Sequence, residues 1–344
     1  MGAQPKRRCY FRGLYSGAVR EIPGLAIAPN WTSAAGALDG MLQHLGVPLP
    51  RHAIMGLTGH AWHTCIARQG EVIALPSGSA DLDWRAMVER YARTGYHWER
   101  LSRVVAAGEA PDIPRAEAIA WAIPHLDAGR PLLGWDFHLH EHAIVYGYDP
   151  AREGFVVHDV LSEEVGPIAL WRDWPSVIGR IELYAPVEPF GADPFATVTG
   201  ALQTALDCFA GDDGPADGQP RGTAGLDAWA DAFDSEIEVD RAGNAYTLAV
   251  LQAARMDGAD FLADLAASLP ELAPPLLAAE RAIRDEAQAL SPLITLFPFP
   301  TGGHGNVGNA GLRRGAAMAL RRAAQHERAA ALKISEALRL LSEG

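Results

Sequence analysis

The sequence predicts an α+β fold followed by a helical domain, and three observations carry that reading. Up to about residue 185, short apolar runs alternate with helical patches. The stretch from Phe137 to Asp159 has the alternation and central turn of a β-hairpin. Beyond it, Ala, Leu, Glu and Arg recur at helical spacing almost to the end. The 344-residue chain is long enough for two cores, and we divide it into 1–185, an α+β domain, and 186–344, an α-helical domain with a Gly/Asp/Pro-rich loop near 211–225.

Taken in order, residues 25–28 read as a strand and 33–45 as a helix. Leu38, Met41, Leu42 and Leu45 form the buried stripe of that helix, and Gly46 is its stop. Residues 70–75 read as a strand, and 84–94 and 115–128 as helices. Strands follow at 131–134, 138–148, 154–158 and 178–183. In the long strand the two-residue period puts His138, His140 and His142 on one face, opposite Leu139, Glu141 and Ala143. In the second half Leu248, Leu251, Ala254, Phe261, Leu262 and Leu265 recur as a helical core stripe, interrupted near Pro270, Pro274 and residues 297–311.

Composition narrows the function classes. Lys and Arg number 29 against 42 Asp and Glu, a net charge of −13, and no basic stretch is interleaved with aromatics, so nucleic acid is not an expected partner. No uninterrupted apolar run reaches membrane-span length, and the basic start, Lys6-Arg7-Arg8, has no apolar segment behind it; a cytoplasmic protein is expected. Cys9, Cys65 and Cys208 are scattered and odd in number, which argues against a disulfide framework and a cysteine-rich zinc site.

The chemistry concentrates in two places. Asn30-Trp31-Thr32-Ser33 turns from loop into helix, so Ser33 stands where free backbone N–H groups and the helix dipole favour a nucleophile and a developing oxyanion. The plainer reading makes Ser33 or Thr32 an N-cap. The second place is the hairpin, with His142 on one strand and Asp159 just past the next.

A helix-opening nucleophile, a His on a long strand ending in Gly147-Tyr148-Asp149, and an Asp closing the next strand resemble, in that order, papain-like peptidases of the bacteriocin-processing type. Within them the chain is most similar to the N-terminal domain of the butirosin-biosynthesis acyltransferase family. Gly46 stands thirteen residues after Ser33, as a glycine does after the family's catalytic Cys, and Met55-Gly56-Leu57-Thr58-Gly59-His60-Ala61 is similar to the Gly-rich segment after that helix. The resemblance implies Ser33 as nucleophile in place of Cys, His142 as base and Asp159 as its orienting partner. The oxyanion glutamine of the family is replaced by Ile27, and Asn30 is the alternative amide. Asn30, Trp31, His138, His140 and Cys65 are then expected to line the substrate site.

The implied activity is acyl transfer, as an acyltransferase or an amide or peptide hydrolase, on a small-molecule or carrier-protein-bound acyl substrate and with no cofactor. Two alternatives stand beside it. One is a catalytically inactive binding domain of the same fold. The other is a zinc-dependent hydrolase whose metal sits on His138, His140 and His142, with His60, His63 or Asp159 as a further ligand. Cys65 lies in a strand-like run, where a buried Cys is a small hydrophobe before it is a reagent. Arg313, Arg314, Arg321, Arg322 and Arg328 read as a solvated helix face, or else as a dock for an acidic carrier. Residues 302–309 read as a flexible loop, and the helical domain is also a candidate homodimer surface.

Overall fold

A computed structural model of the protein describes residues 18–69, 72–73, 86–103, 115–175, 181–214 and 217–343. Cys9 and the basic start lie outside these residues, as do most of the predicted 70–75 strand, the first residues of the predicted 84–94 helix and the beginning of the predicted 178–183 strand.

In chain order the first elements are β1 (Arg20–Glu21), α1 (Ser33–His44), α2 (Arg51–Thr58), β2 (Arg68–Gln69), β3 (Val72–Ile73), α3 (Met87–Ala92) and β4 (Tyr96–Arg103). Next come α4 (Arg115–Asp127), β5 (Leu132–Trp135), β6 (His142–Asp149), β7 (Gly154–His158), α5 (Ser162–Val165), β8 (Ile168–Leu170) and β9 (Ile181–Pro189). The remainder is helical apart from β10 (Glu238–Val239): α6 (Pro194–Ala210), α7 (Gly222–Asp234), α8 (Arg241–Ser268), α9 (Ala273–Leu296) and α10 (Ala310–Glu343). The fold is α+β, and no helix among the described residues is long and apolar enough to cross a membrane.

The chain separates into two compact units. Unit 1 is 1–29, 36–47 and 98–188; unit 2 is 30–35, 48–97 and 189–344. The division near 188 lies close to the compositional change at 185, but unit 2 also takes in 48–97.

Unit 1 is built on a seven-stranded sheet of order β4-β9-β5-β6-β7-β8, with β1 on the far part of β6. Strands β5, β6, β7 and β8 pair antiparallel in succession, so hairpin connections suffice and no crossover helix is needed between them. The β6–β7 register shifts between Val145 and Gly147, a bulge that bends β6 where β1 joins it. A side chain at Gly147 would meet the Arg20 carbonyl oxygen at 2.1 Å, so only glycine lets β1 pair there. Helix α1 seats on the same sheet: a Cβ on Gly40 would lie 2.0 Å from the Ala26 carbonyl oxygen and 3.0 Å from Ile144 Cδ1 of β6.

Two sequence expectations change here. Residues 25–28 are not a strand; they run past the sheet end, with Ala28 N–H donating to Gly36 O (3.0 Å) and Ile27 N–H to His158 Nδ1 (3.3 Å). Strand β6 starts at His142, four residues later than the alternation suggests, because Asp136 leaves β5 with φ of 65° and the chain bends through 137–141 before re-entering the sheet. The three imidazoles therefore do not share a strand face.

In unit 2 the helices have legible ends. Asp193 caps α6 by accepting from Phe195 N–H, Pro194 occupies its first turn, and Gly211 ends it in the left-handed conformation; Asp240 caps α8 from Gly243 N–H at 2.6 Å. Trp229, Phe233, Leu248, Leu251, Leu290, Phe297 and Leu320 form the core shared by α7, α8, α9 and α10. The predicted 211–225 loop ends early, at Arg221: Gly222, Thr223 and Gly225 are weak helix formers, but burial of Leu226, Trp229, Ala230 and Phe233 holds them in α7. The arginines of α10 are largely engaged. Arg313 donates to the last carbonyls of α7, Arg321 pairs with Asp231 and Asp234, and Arg328 with Asp227.

Candidate functional site

At one end of the sheet in unit 1, the 136–141 loop presents the histidines. Two contacts pin it: Phe137 stacks on Trp174 with centroids 5.1 Å apart, and the Trp174 indole N–H donates to Trp135 O at 3.0 Å. So anchored, the loop hands His138, not His142, to Asp159. His138 Nδ1 lies 2.9 Å from Asp159 Oδ2, while Asp159 Oδ1 accepts from Ser162 Oγ (2.9 Å) and from Leu161 N–H (3.0 Å). The hydrogen bond that His138 donates to Asp159 raises the His138 pKa, against the cost of burial, and the Ile168 backbone adds to it. Burial works to raise Asp159, but the bonds from His138 and Ser162 outweigh it and hold the carboxyl below its ordinary value.

His142 opens β6 opposite Trp135 of β5, buried, with the two rings 4.7 Å apart. His140 stands out from the loop with 45% of its side chain exposed, 4.0 Å from the buried Asp136. His158 closes β7 opposite Ile144, two residues into β6 from His142. Its Nδ1 accepts the Ile27 N–H at 3.3 Å. Ile27, at the position of the expected glutamine, thus contributes a main-chain donor.

Ser33 is the first residue of α1 and is buried. Asn30 Oδ1 accepts from Thr32 N–H at 2.9 Å, so its oxygen serves the helix entrance and its amide N–H groups are what it can offer a ligand. Trp31 is half exposed, with its ring 6.0 Å from Phe299 in the 297–309 loop. Cys65 is fully buried in unit 2, bridged to Arg221 through the backbone, and its run is not a regular strand.

Among the described residues, His138, His140 and His142 do not form a group whose ligand atoms lie together, and His138 pairs with Asp159. Among the described residues the group of three side chains that could hold an ion is His63, Cys208 and Asp213, all buried in unit 2. His63 Nδ1 lies 2.9 Å from Asp213 Oδ2, the Cys208 thiol donates to the same oxygen at 3.0 Å, and Arg90 stands 3.8 Å from it. Burial, then the Asp213 charge, pushes the Cys208 thiol well above its ordinary value, so this Cys is no ready nucleophile. For Asp213, burial is outweighed by His63, Cys208 and Arg90, and the carboxyl sits well below its ordinary value. Burial, with Arg90 and His63 nearby, lowers His60 to about 3 and keeps it neutral.

No protein-family model matches this chain, and neither does any curated protein. The residues that sequence reasoning passed over are Cys208, Asp213 and Arg90. His63 and Asp213 are 150 positions apart, and Asp213 lies in a Gly/Asp-rich segment that reads as solvated. The available signal was the placement of Cys208 just before the glycine stop of α6, which returns the chain toward that helix end.

Proposed function

We propose that the protein is a papain-like acyl-transfer enzyme with Ser33 as nucleophile and His142 as general base. Ser33 attacks the acyl carbonyl while its hydroxyl proton passes to His142. The oxyanion is met by N–H groups at the start of α1, and the leaving group takes the proton from His142. An amine, or water in a hydrolase, then attacks the acyl-serine through the same base and frees Ser33. Asp159 acts at one remove, with His138: their hydrogen-bonded pair braces the loop that leads into His142, which makes both of them positioning residues.

One observation supports this reading above others. Gly36 in α1 accepts from Ala28, Ile27 donates to His158, and His158 pairs with Ile144, so within unit 1 the part of α1 from Gly36 onward and the His142 end of β6 belong to one end of the sheet. A second reading, a binding domain without catalysis, is favoured by one specific contact set: both Asp159 oxygens are engaged by His138, Ser162 and Leu161.

A fluorophosphonate probe separates the two, since it reacts with serines activated by a base regardless of substrate. Acyl transfer predicts one labelled site in the wild type, lost in Ser33→Ala and reduced about 100-fold or more in His142→Ala, in the range typical for general-base removal. Equal labelling of Ser33→Ala, or none in the folded wild type, contradicts it.

A further inference from the structure

We propose that His63, Cys208 and Asp213 form a zinc site in unit 2, separate from the acyl-transfer machinery and independent of whether that reading holds. One ligand atom from each residue lies within 4.8 Å of the others, and the three side chains come from separate stretches: the turn after α2, the last turn of α6 and the loop beyond it. Zinc bonds of roughly 2.0–2.3 Å in a tetrahedron put ligand atoms about 3.3–3.8 Å apart, a small adjustment from this geometry.

Burial makes the group more than a chance meeting of polar residues. His63, Cys208 and Asp213 are 4%, 0% and 5% exposed, and the enclosed His63 Nε2 and Asp213 Oδ1 have no hydrogen-bond partner in the protein. Buried polar atoms in that condition are costly unless something else satisfies them. Donor chemistry selects the ion. A thiolate with an imidazole is too soft a set for Mg²⁺ or Ca²⁺, whereas sulfur, nitrogen and one carboxylate oxygen suit zinc. Charges and protons balance: Zn²⁺ takes a carboxylate, a neutral imidazole and a thiol, the thiol proton goes to solvent, and the two anionic ligands offset the dication. Arg90 lies 3.8 Å from Asp213 Oδ2, within ion-pair range of the ligating carboxylate.

The ion, with water completing its tetrahedron, also braces the fold. It ties the segment after α2 to α6 and to the loop before α7, where Gly222 N–H already bonds to Thr64 O at 2.8 Å. The test uses the full chain, purified after growth with zinc, dialysed metal-free and analysed by inductively coupled plasma mass spectrometry. The proposal predicts about one zinc per chain, loss of most of it in Cys208→Ser, a lower Tm after chelation that zinc restores, and a thiolate-to-metal absorption band when Co²⁺ replaces zinc. Because Cys208→Ser risks misfolding, the wild-type cobalt spectrum and the zinc-dependent Tm stand on their own. A folded wild type that retains no zinc, shows no cobalt–thiolate band and melts alike with and without zinc overturns the proposal. So does zinc retained in full by folded Cys208→Ser.

Discussion

The contact that most changes the sequence reading is the 2.9 Å pair between His138 and Asp159. Asp159 was identifiable because it follows a strand and precedes a turn; its partner was not, because a two-residue period carried four residues too far assigns His138 to a strand face. In Asp159→Asn the charge and the strong acceptor are lost, so the His138 titration midpoint should fall, as read from imidazole proton shifts against pH. An unchanged midpoint would contradict the pairing. The same pair sets a stability window. The raised His138 gives a contribution present below its unfolded value and lost as pH rises through its folded one. The lowered Asp159 gives one present above its unfolded value and lost as pH falls through its folded one. Wild type should therefore exceed Asp159→Asn in stability most clearly between these limits, and chemical denaturation at several pH values checks it.

For the elements, legibility followed local signals. Helices α1 and α4 and strand β7 agree with the predicted spans to within about a residue, the two helices because Gly46 and Gly129 in the left-handed conformation stop them and the strand because it is a short apolar run between turns. Strand β6 and helix α7 depart from the local pattern where tertiary contacts overrule it: the positive φ at Asp136 delays β6, and core burial starts α7 within a glycine-rich run. The seat of α1 gives an element-level prediction. Gly40→Ala puts a methyl 2.0 Å from a backbone oxygen, which cannot swing aside as a side-chain tip would. Denaturant unfolding should show a loss of about 1–3 kcal/mol, the usual cost of overpacking. A neutral result would mean that α1 is not held against β6 as described.

At the scale of the molecule, composition located the change near 185 but could not reveal that 48–97 joins the later unit, since that depends on partners distant in sequence. Arg255 is one such partner. Fully buried in α8, it donates to Ala61 O (2.7 Å), Thr64 Oγ1 (2.7 Å) and Glu286 (2.8 Å), and pairs with Glu327. Two glutamates share this one guanidinium, and burial, only partly offset by Arg255, raises Glu286 above its ordinary 4.5. A carboxyl raised in the folded state contributes stability below its unfolded value that is lost as pH rises through the folded one. Unit 2 should therefore weaken as pH climbs from about 5 toward and past neutrality, and Glu286→Gln should flatten that decline in Tm against pH; an equally steep decline in the variant would refute the assignment. The claim on which the functional account rests is the covalent role of Ser33. Intact-protein mass spectrometry of the full chain after exposure to a panel of acyl thioesters tests it most directly. The account predicts an acyl adduct in the wild type that is absent in Ser33→Ala, while no adduct from any thioester, or one that persists without Ser33, would contradict it.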